Sequence, residues 1–253
     1  MTPLLSLILI AAPVPESACP LQSPAAAELR CSAETGPNWT FAFAWPVAAP
    51  RLPGLEREME ARRAQARADA ETIPAYAAGH PDGRFHYEQA FALDANRPEL
   101  IALSATTDSY SGGAHGWYAF DTLLWDPAAD RRLGLYELFS DAPAGRAELE
   151  RQLCPALLEV RRARVSFRGG CDGAPEDAAL VASGDGQIDT LRVRYAELDG
   201  YAGGGYEVFL PVTPAFIAAL DERFRPAFRG SSAPALGCNT SVPDPACDAR
   251  QRQ

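Results

Sequence analysis

The chain has 253 residues and a formal net charge of −10, from 23 basic and 33 acidic side chains. A protein this acidic repels nucleic acid and anionic membranes, so we expect neither as a partner. Hydrophobic residues make up 47% of the chain and charged residues 22%, as in an ordinary globular protein, and no run of about 18 apolar residues is available to span a bilayer.

The N-terminal region indicates export. Leu4 to Ala12 form an apolar stretch with the length of a signal-peptide core, although no basic residue precedes it. Small residues at Ala25 to Ala27 favour ordinary cleavage, whereas Ser17-Ala18-Cys19 resembles the end of a lipobox, with Glu16 in place of Leu. We assign residues 1–27 to a signal peptide and linker in a periplasmic or envelope-attached protein. The alternatives are lipidation of Cys19 and a disordered tail on a cytosolic protein.

Six cysteines in an exported chain favour disulfide bridges, because an oxidising compartment lets them persist. The spacing predicts two local bridges, Cys154 with Cys171 and Cys238 with Cys247. Cys19 and Cys31 pair if both survive processing. A zinc site is disfavoured because the sequence has no C-x-x-C pair and only three His.

Strands and helices alternate irregularly along the chain. Residues 13–37 have no periodicity and are interpreted as linker, so the fold is expected to start near Asn38. Period-two alternation predicts strands over 38–45, 84–94, 101–107 and 118–124, the last three as a meander. Between the first two strands, a helical stripe runs through Leu55, Met59, Arg62, Ala66, Ala70, Ile73 and Ala77.

In the second half of the sequence, apolar spacing predicts a helix over about 145–165 and strands over 179–182, 191–195 and 206–212. Thr213-Pro214 then indicates the start of a final helix. This order favours an α+β fold in which antiparallel sheets pack against helices. We predict two consecutive subdomains, 38–125 and 133–228, followed by a Pro-rich tail over 229–253. The predicted 145–165 helix and the loop after it carry a basic cluster, interpreted as a solvated or salt-bridged face that is also the best candidate for anion contact: Arg161, Arg162, Arg164 and Arg168.

Two glycine-rich segments hold most of the chemically distinctive residues. The first, Asp108 to Tyr118, combines Asp, His, Ser and aromatic residues with three glycines, and the second runs from Asp199 to Glu207. Each is a candidate ligand-contact loop or a plain inter-strand turn. The candidate binding residues are Asp108, Tyr110, Gly112, Gly113, His115, Trp117, Tyr201 and Tyr206. A metal site from His80, His86, His115 and Asp108 requires that the fold bring them together.

The two glycine-rich segments carry a resemblance. The stretch from Leu100 through Gly112-Gly113-Ala114-His115 to Phe139, with the later Tyr195 to Pro211, resembles the extracytoplasmic domain shared by the lysozyme-sensing anti-sigma factor RsiV and the peptidoglycan deacetylase PdaC. The likeness runs from about Trp39 to Phe228. It implies a two-part α+β unit in the cell envelope, with a PdaC-type half and an RsiV C-terminal-type half. The sequence lacks the sigma-binding segment, the transmembrane helix and the deacetylase domain of those proteins.

No nucleophile elbow, zinc-protease motif, phosphate-binding loop or dinucleotide fingerprint occurs in the sequence. We therefore expect a binding module without catalysis or cofactor, which contacts peptidoglycan or a lysozyme-like protein. The alternative is a cell-wall-modifying hydrolase or deacetylase-associated enzyme in which His115 acts as a base near Asp108. The sequence leaves the oligomeric state open.

Overall fold

The computed structural model describes residues 19, 21, 28–164, 170–171, 175, 178–196, 198, 205–240 and 243–251. Two sheets organise the fold, a six-stranded sheet in the order β1-β2-β3-β4-β5-β6 and a four-stranded sheet in the order β10-β9-β8-β7. Helices pack against both sheets, so the fold is α+β with two subdomains, as predicted.

The first sheet contains β1 (Leu29–Thr35), β2 (Trp39–Pro46), β3 (Phe85–Asn96), β4 (Ile101–Tyr110), β5 (Trp117–Asp126) and β6 (Arg131–Leu133). The second sheet contains β7 (Ala179–Ala182), β8 (Ile188–Tyr195), β9 (Tyr206–Pro211) and β10 (Leu236–Asn239). The helices are α1 (Pro53–Asp69), α2 (Ile73–Gly79), α3 (Ala142–Arg164), α4 (Pro214–Ala219) and α5 (Pro245–Gln251).

The first sheet differs from the prediction at its β1 edge. β1 lies in the segment that the sequence assigns to linker, and β2 pairs with β3 in parallel, with Trp39 opposite Phe85. The parallel pairing follows from the connection between the two strands. The segment that contains α1 and α2 carries the chain back to the end of the sheet where β2 begins, so β3 runs in the same direction as β2. The other pairs in both sheets are antiparallel.

The predicted long helix is divided into α1 and α2. Pro74 is the second residue of α2, and a proline cannot donate a hydrogen bond to the preceding turn, so the helix ends and restarts. Asp130 fixes the other end, where its carboxylate accepts a hydrogen bond of 2.7 Å from the amide of Gly54. The apolar residues of the predicted stripe are buried against the sheet: Leu55, Met59, Ala66, Ala70, Ile73 and Ala77.

The two subdomains share a core. One face of the six-stranded sheet, the helix face, packs on α1 and α2 through residues such as Phe43, Phe91 and Leu103. The opposite face contributes Ala102 and Leu124 to a second core that also includes the four-stranded sheet, α3 and α4. The second sheet therefore lies against the first rather than beside it.

Three disulfides close the described part of the chain. The predicted bridges Cys154–Cys171 and Cys238–Cys247 are present, and Cys19 is bonded to Cys31. The tail that follows the second subdomain contributes to the fold, because β10 extends the second sheet and α5 is joined to it by Cys238–Cys247. Within the described residues, no helix has the length and apolar character needed to span a bilayer.

Candidate ligand-binding end of the two sheets

The contacts between the sheets define their relative direction. The Arg192 guanidinium donates a hydrogen bond of 3.1 Å to Ser104, and Arg194 donates one of 3.2 Å to Thr106, two residues further along both strands. β4 and β8 therefore run in the same direction across the interface. In the sequence, the first glycine-rich segment follows β4 and the second follows β8, so we call the end of the sheets at which both strands finish the glycine-rich end.

The first glycine-rich loop is built against α2. Gly112 and Gly113 have φ of 108° and 100°, a conformation that essentially only glycine adopts. A Cβ at position 112 would lie 2.4 Å from the ring of Tyr76, so glycine is also needed for close approach. The Tyr110 hydroxyl donates a hydrogen bond of 2.9 Å to the Gly113 carbonyl, and the Tyr110 ring stacks on Phe85. These residues hold the loop in one shape, which accounts for Tyr110, Gly112 and Gly113 structurally.

Exposed side chains of this loop and of the elements beside it lie at the glycine-rich end. Trp117 is 50% exposed and Tyr76 is 39% exposed, unusual values for large aromatic side chains. Trp117 lies directly opposite Ser109 at the start of β5. His115 is exposed, and its Nδ1 lies 2.8 Å from the Gly116 carbonyl oxygen. Trp117 and His115 are therefore accessible to a partner.

A groove of about 560 Å³ opens at the same end, on the face of the first sheet opposite the helices. Its floor comes from neighbouring strands, because Glu88 on β3 lies directly opposite Asp108 on β4 and Thr40 on β2 lies beside His86. The lining residues are Thr35, Gly36, Pro37, Asn38, Trp39, Thr40, Arg84, Phe85, His86, Glu88 and Asp108.

The groove is electrostatically uneven. His86 Nε2 lies 3.3 Å from Asp108 Oδ1, so the histidine beside Asp108 is His86. Burial raises the pKa of Glu88, the charge of Asp108 raises it further, and His86 opposes the shift. Sequence reasoning did not propose Glu88, and it named His86 only as a candidate metal ligand. The signal was present, since the period-two pattern of β3 puts Phe85, Tyr87 and Phe91 on the helix face and leaves residues 86 and 88 on the other.

A buried ionic layer lies between the groove and the shared core. Arg192 is within 3.3 Å of Asp94 and within 3.6 Å of Glu207, and both carboxylates are less than a tenth exposed. Burial, together with the charge of neighbouring Arg192, lowers the pKa of Arg194 to about 10, and the guanidinium lies over the Phe120 ring. These contacts connect β3 and β4 of the first sheet to β8 and β9 of the second.

Two predicted sites change in the structure. Tyr206 is fully buried in the shared core, so its side chain does not face a ligand and it leaves the candidate set. The predicted basic cluster is not a single surface, because Arg161 is only 4% exposed whereas Arg162 is exposed. The Arg164 side chain, Arg168 and Tyr201 lie outside the described residues, and the prediction for Tyr201 stays a prediction. The described His, Cys, Asp and Glu residues form no group of three suited to a metal ion.

No protein-family model and no curated protein matches the sequence. Among solved structures, the chain is similar to a DUF3298 family protein from Pseudomonas aeruginosa PAO1, with a TM-score of 0.54 and 14% identity over 81% of this chain and 96% of that one. A DUF3298 family member from Bacteroides fragilis has a TM-score of 0.46 and 18% identity, over 78% and 93% of the two chains. The chain thus shares its fold with a DUF3298 family protein.

Proposed function

We propose that this chain is an exported, non-catalytic binding module of the cell envelope and that the glycine-rich end holds a basic, lysozyme-like protein. The observation that carries the proposal is the shared direction of β4 and β8, because the strands that the two glycine-rich segments follow in sequence finish at one end of the sheets. A surface built from two loops at one end of a rigid scaffold is a common arrangement for protein recognition.

The disulfides support export. Three bridges in a chain of this size fit an oxidising compartment better than a reducing one. Non-reducing peptide mapping of material from the envelope fraction should recover a Cys154–Cys171 linked peptide. Free thiols at both positions in exported protein would contradict this part of the proposal.

Charge and the resemblance to the RsiV and PdaC domains support the choice of partner. DUF3298, the family of the structural neighbours, includes RsiV- and PdaC-like domains. A chain with a net charge of −10 steers a basic protein toward itself, so the association rate should fall as salt is raised. Exposed Trp117 adds the kind of aromatic anchor that is enriched at the centre of protein interfaces.

Surface plasmon resonance with purified mature protein and a basic lysozyme tests the proposal. We expect Trp117→Ala and His115→Ala to weaken binding, and Tyr201→Ala to do the same for the second loop. Val47→Ala is the matched control, because Val47 is equally exposed but follows β2 at the opposite end of the sheet. Melting temperatures should stay within a few degrees of wild type, as exposed side chains usually change stability by about 0.5 kcal/mol.

Binding per folded molecule that is equal in wild type and in all three loop variants would show that the loops are structural turns. No measurable lysozyme binding by the wild-type protein would reject the partner, and retention on isolated peptidoglycan instead would support the other partner class.

A further inference from the structure

The groove beside the glycine-rich loop and Trp117 lie on different faces of the first sheet. Binding of the protein partner proposed above does not require the groove. Its volume, about 560 Å³, is in the range of small-ligand sites. The lining residues are chemically mixed and include two threonines, one arginine, one histidine and two acidic residues: Thr35, Thr40, Arg84, His86, Glu88 and Asp108. Such a set offers both hydrogen-bond donors and acceptors to one ligand.

The two carboxylates have no local structural reason to face each other. Glu88 and Asp108 are directly opposed on adjacent antiparallel strands, a position in which like charges destabilise the sheet. Asp108 is near His86, but Glu88 has no hydrogen-bond or ion-pair partner among the described residues, although it is half-buried. His86 offsets only part of this cost at Glu88, and an incompletely compensated local cost of this kind is typical of a functional site.

Further features of the groove narrow the ligand class. Paired carboxylates accept hydrogen bonds from neighbouring hydroxyls, while Arg84 at the groove disfavours a compact cation and Glu88 with Asp108 disfavours an anion. Trp39 borders the groove through its position on β2, but its indole lies against Gly36 and packs with the helix-face core. We propose that this groove binds a saccharide, whose hydroxyls donate hydrogen bonds to Glu88 and Asp108.

Isothermal titration calorimetry with a β-1,4-linked N-acetylglucosamine tetramer and with maltotetraose tests this inference. Glu88→Gln and Asp108→Asn keep the shape of each side chain and remove its charge. We expect each to weaken saccharide binding about five- to tenfold, because a hydrogen bond to a charged acceptor is worth about 1 kcal/mol more than one to a neutral acceptor. Glu150→Gln is the matched control, since Glu150 is exposed on α3 and does not line the groove.

The inference is overturned if neither saccharide binds the folded wild-type protein, or if both groove variants bind as wild type does. It is also overturned if the diamine cadaverine binds the groove in a salt-dependent manner and the saccharides do not, because the site would then be cationic in its preference. Trp117→Ala separates the two proposals: it should weaken capture of the basic protein and leave saccharide binding unchanged. Circular dichroism melting of each variant verifies that the compared proteins are folded.

Discussion

Arg192→Met should strongly destabilise the protein, because Arg192 is the cation of the buried layer between the sheets. Its guanidinium lies 3.3 Å from Asp94 and 3.6 Å from Glu207, and these carboxylates are 7% and 5% exposed. Methionine retains much of the length and apolar contact of the side chain but leaves two buried carboxylates with less positive charge nearby.

The expected loss of stability follows from the burial of the Arg192 ion pairs. Removing one partner of a buried ion pair typically costs about 3–5 kcal/mol, because the remaining charge stays buried without compensation. In a protein of this length, that loss lowers Tm by roughly 6–20 °C. We expect the lower part of this range, because Arg194 remains directly opposite Glu207.

The loss should depend on pH. Burial raises the pKa of Asp94 above its ordinary value of 3.8, while a hydrogen bond from Ser104 and the charges of Arg192 and Arg194 oppose the shift. In the variant one of the opposing cations is gone, so the pKa rises further. A carboxyl with a raised folded-state pKa binds more protons in the folded state, so its unfavourable contribution disappears as pH falls through that pKa. The stability gap between wild type and Arg192→Met should therefore narrow on acidification from neutral pH.

Urea unfolding followed by circular dichroism at several pH values measures this gap. Arg63→Met is the matched control, because Arg63 forms an exposed pair with Glu60 on α1 and its loss should change the free energy of unfolding by less than about 1 kcal/mol. A free energy of unfolding for Arg192→Met within about 1 kcal/mol of wild type at neutral pH would refute the role assigned to the ionic layer.

The other predictions concern single positions. Gly112→Ala should lower the free energy of unfolding by about 1–3 kcal/mol from backbone strain, and by more than Gly113→Ala, because only at Gly112 would the new Cβ meet the Tyr76 ring; chemical denaturation of the two variants tests the order. Thr213→Ala should cost about 1 kcal/mol, since the Thr213 hydroxyl caps α4, and an unchanged Tm would contradict that role. Glu88→Gln should stabilise the protein at neutral pH, because the pKa of Glu88 is raised, and the gain should vanish as pH falls through that pKa; a gain that persists at low pH would exclude a charge effect.

Strands and helices that bury one face were predictable because burial leaves a periodic trace. Phe41, Phe43 and Trp45 alternate along β2 and are buried together on the helix face, and the stripe of α1 and α2 is buried as its spacing predicts. β1 left no such trace, because it is a partly exposed edge strand with mixed side chains. The pairing of β1 with β2 depends on contacts between the strands, which the local hydrophobic pattern does not predict.

The candidate site was only partly predictable from the sequence, because some of its features depend on local residues and others on contacts between distant strands. Glycine-rich composition indicated the loop at Gly112 and Gly113, because positive φ is a local requirement. The ring that demands glycine at position 112 belongs to Tyr76, far away in sequence, and Glu88 meets Asp108 only through the register of β3 with β4. Tyr206 looked like a loop residue because it follows glycines, yet the second sheet buries it completely.

Sequence alone determined the acidic charge, the positions of most strands and helices, the cysteine pairs with short separations and the existence of two glycine-rich segments. These properties depend on composition or on residues close together in the chain. Tertiary structure decided that β4 and β8 finish at one end of the sheets and that the groove forms there, because these features follow from contacts such as that between Arg192 and Ser104, 88 residues apart. Contacts at that separation depend on how two sheets pack, which no local pattern of hydrophobicity or turn residues specifies.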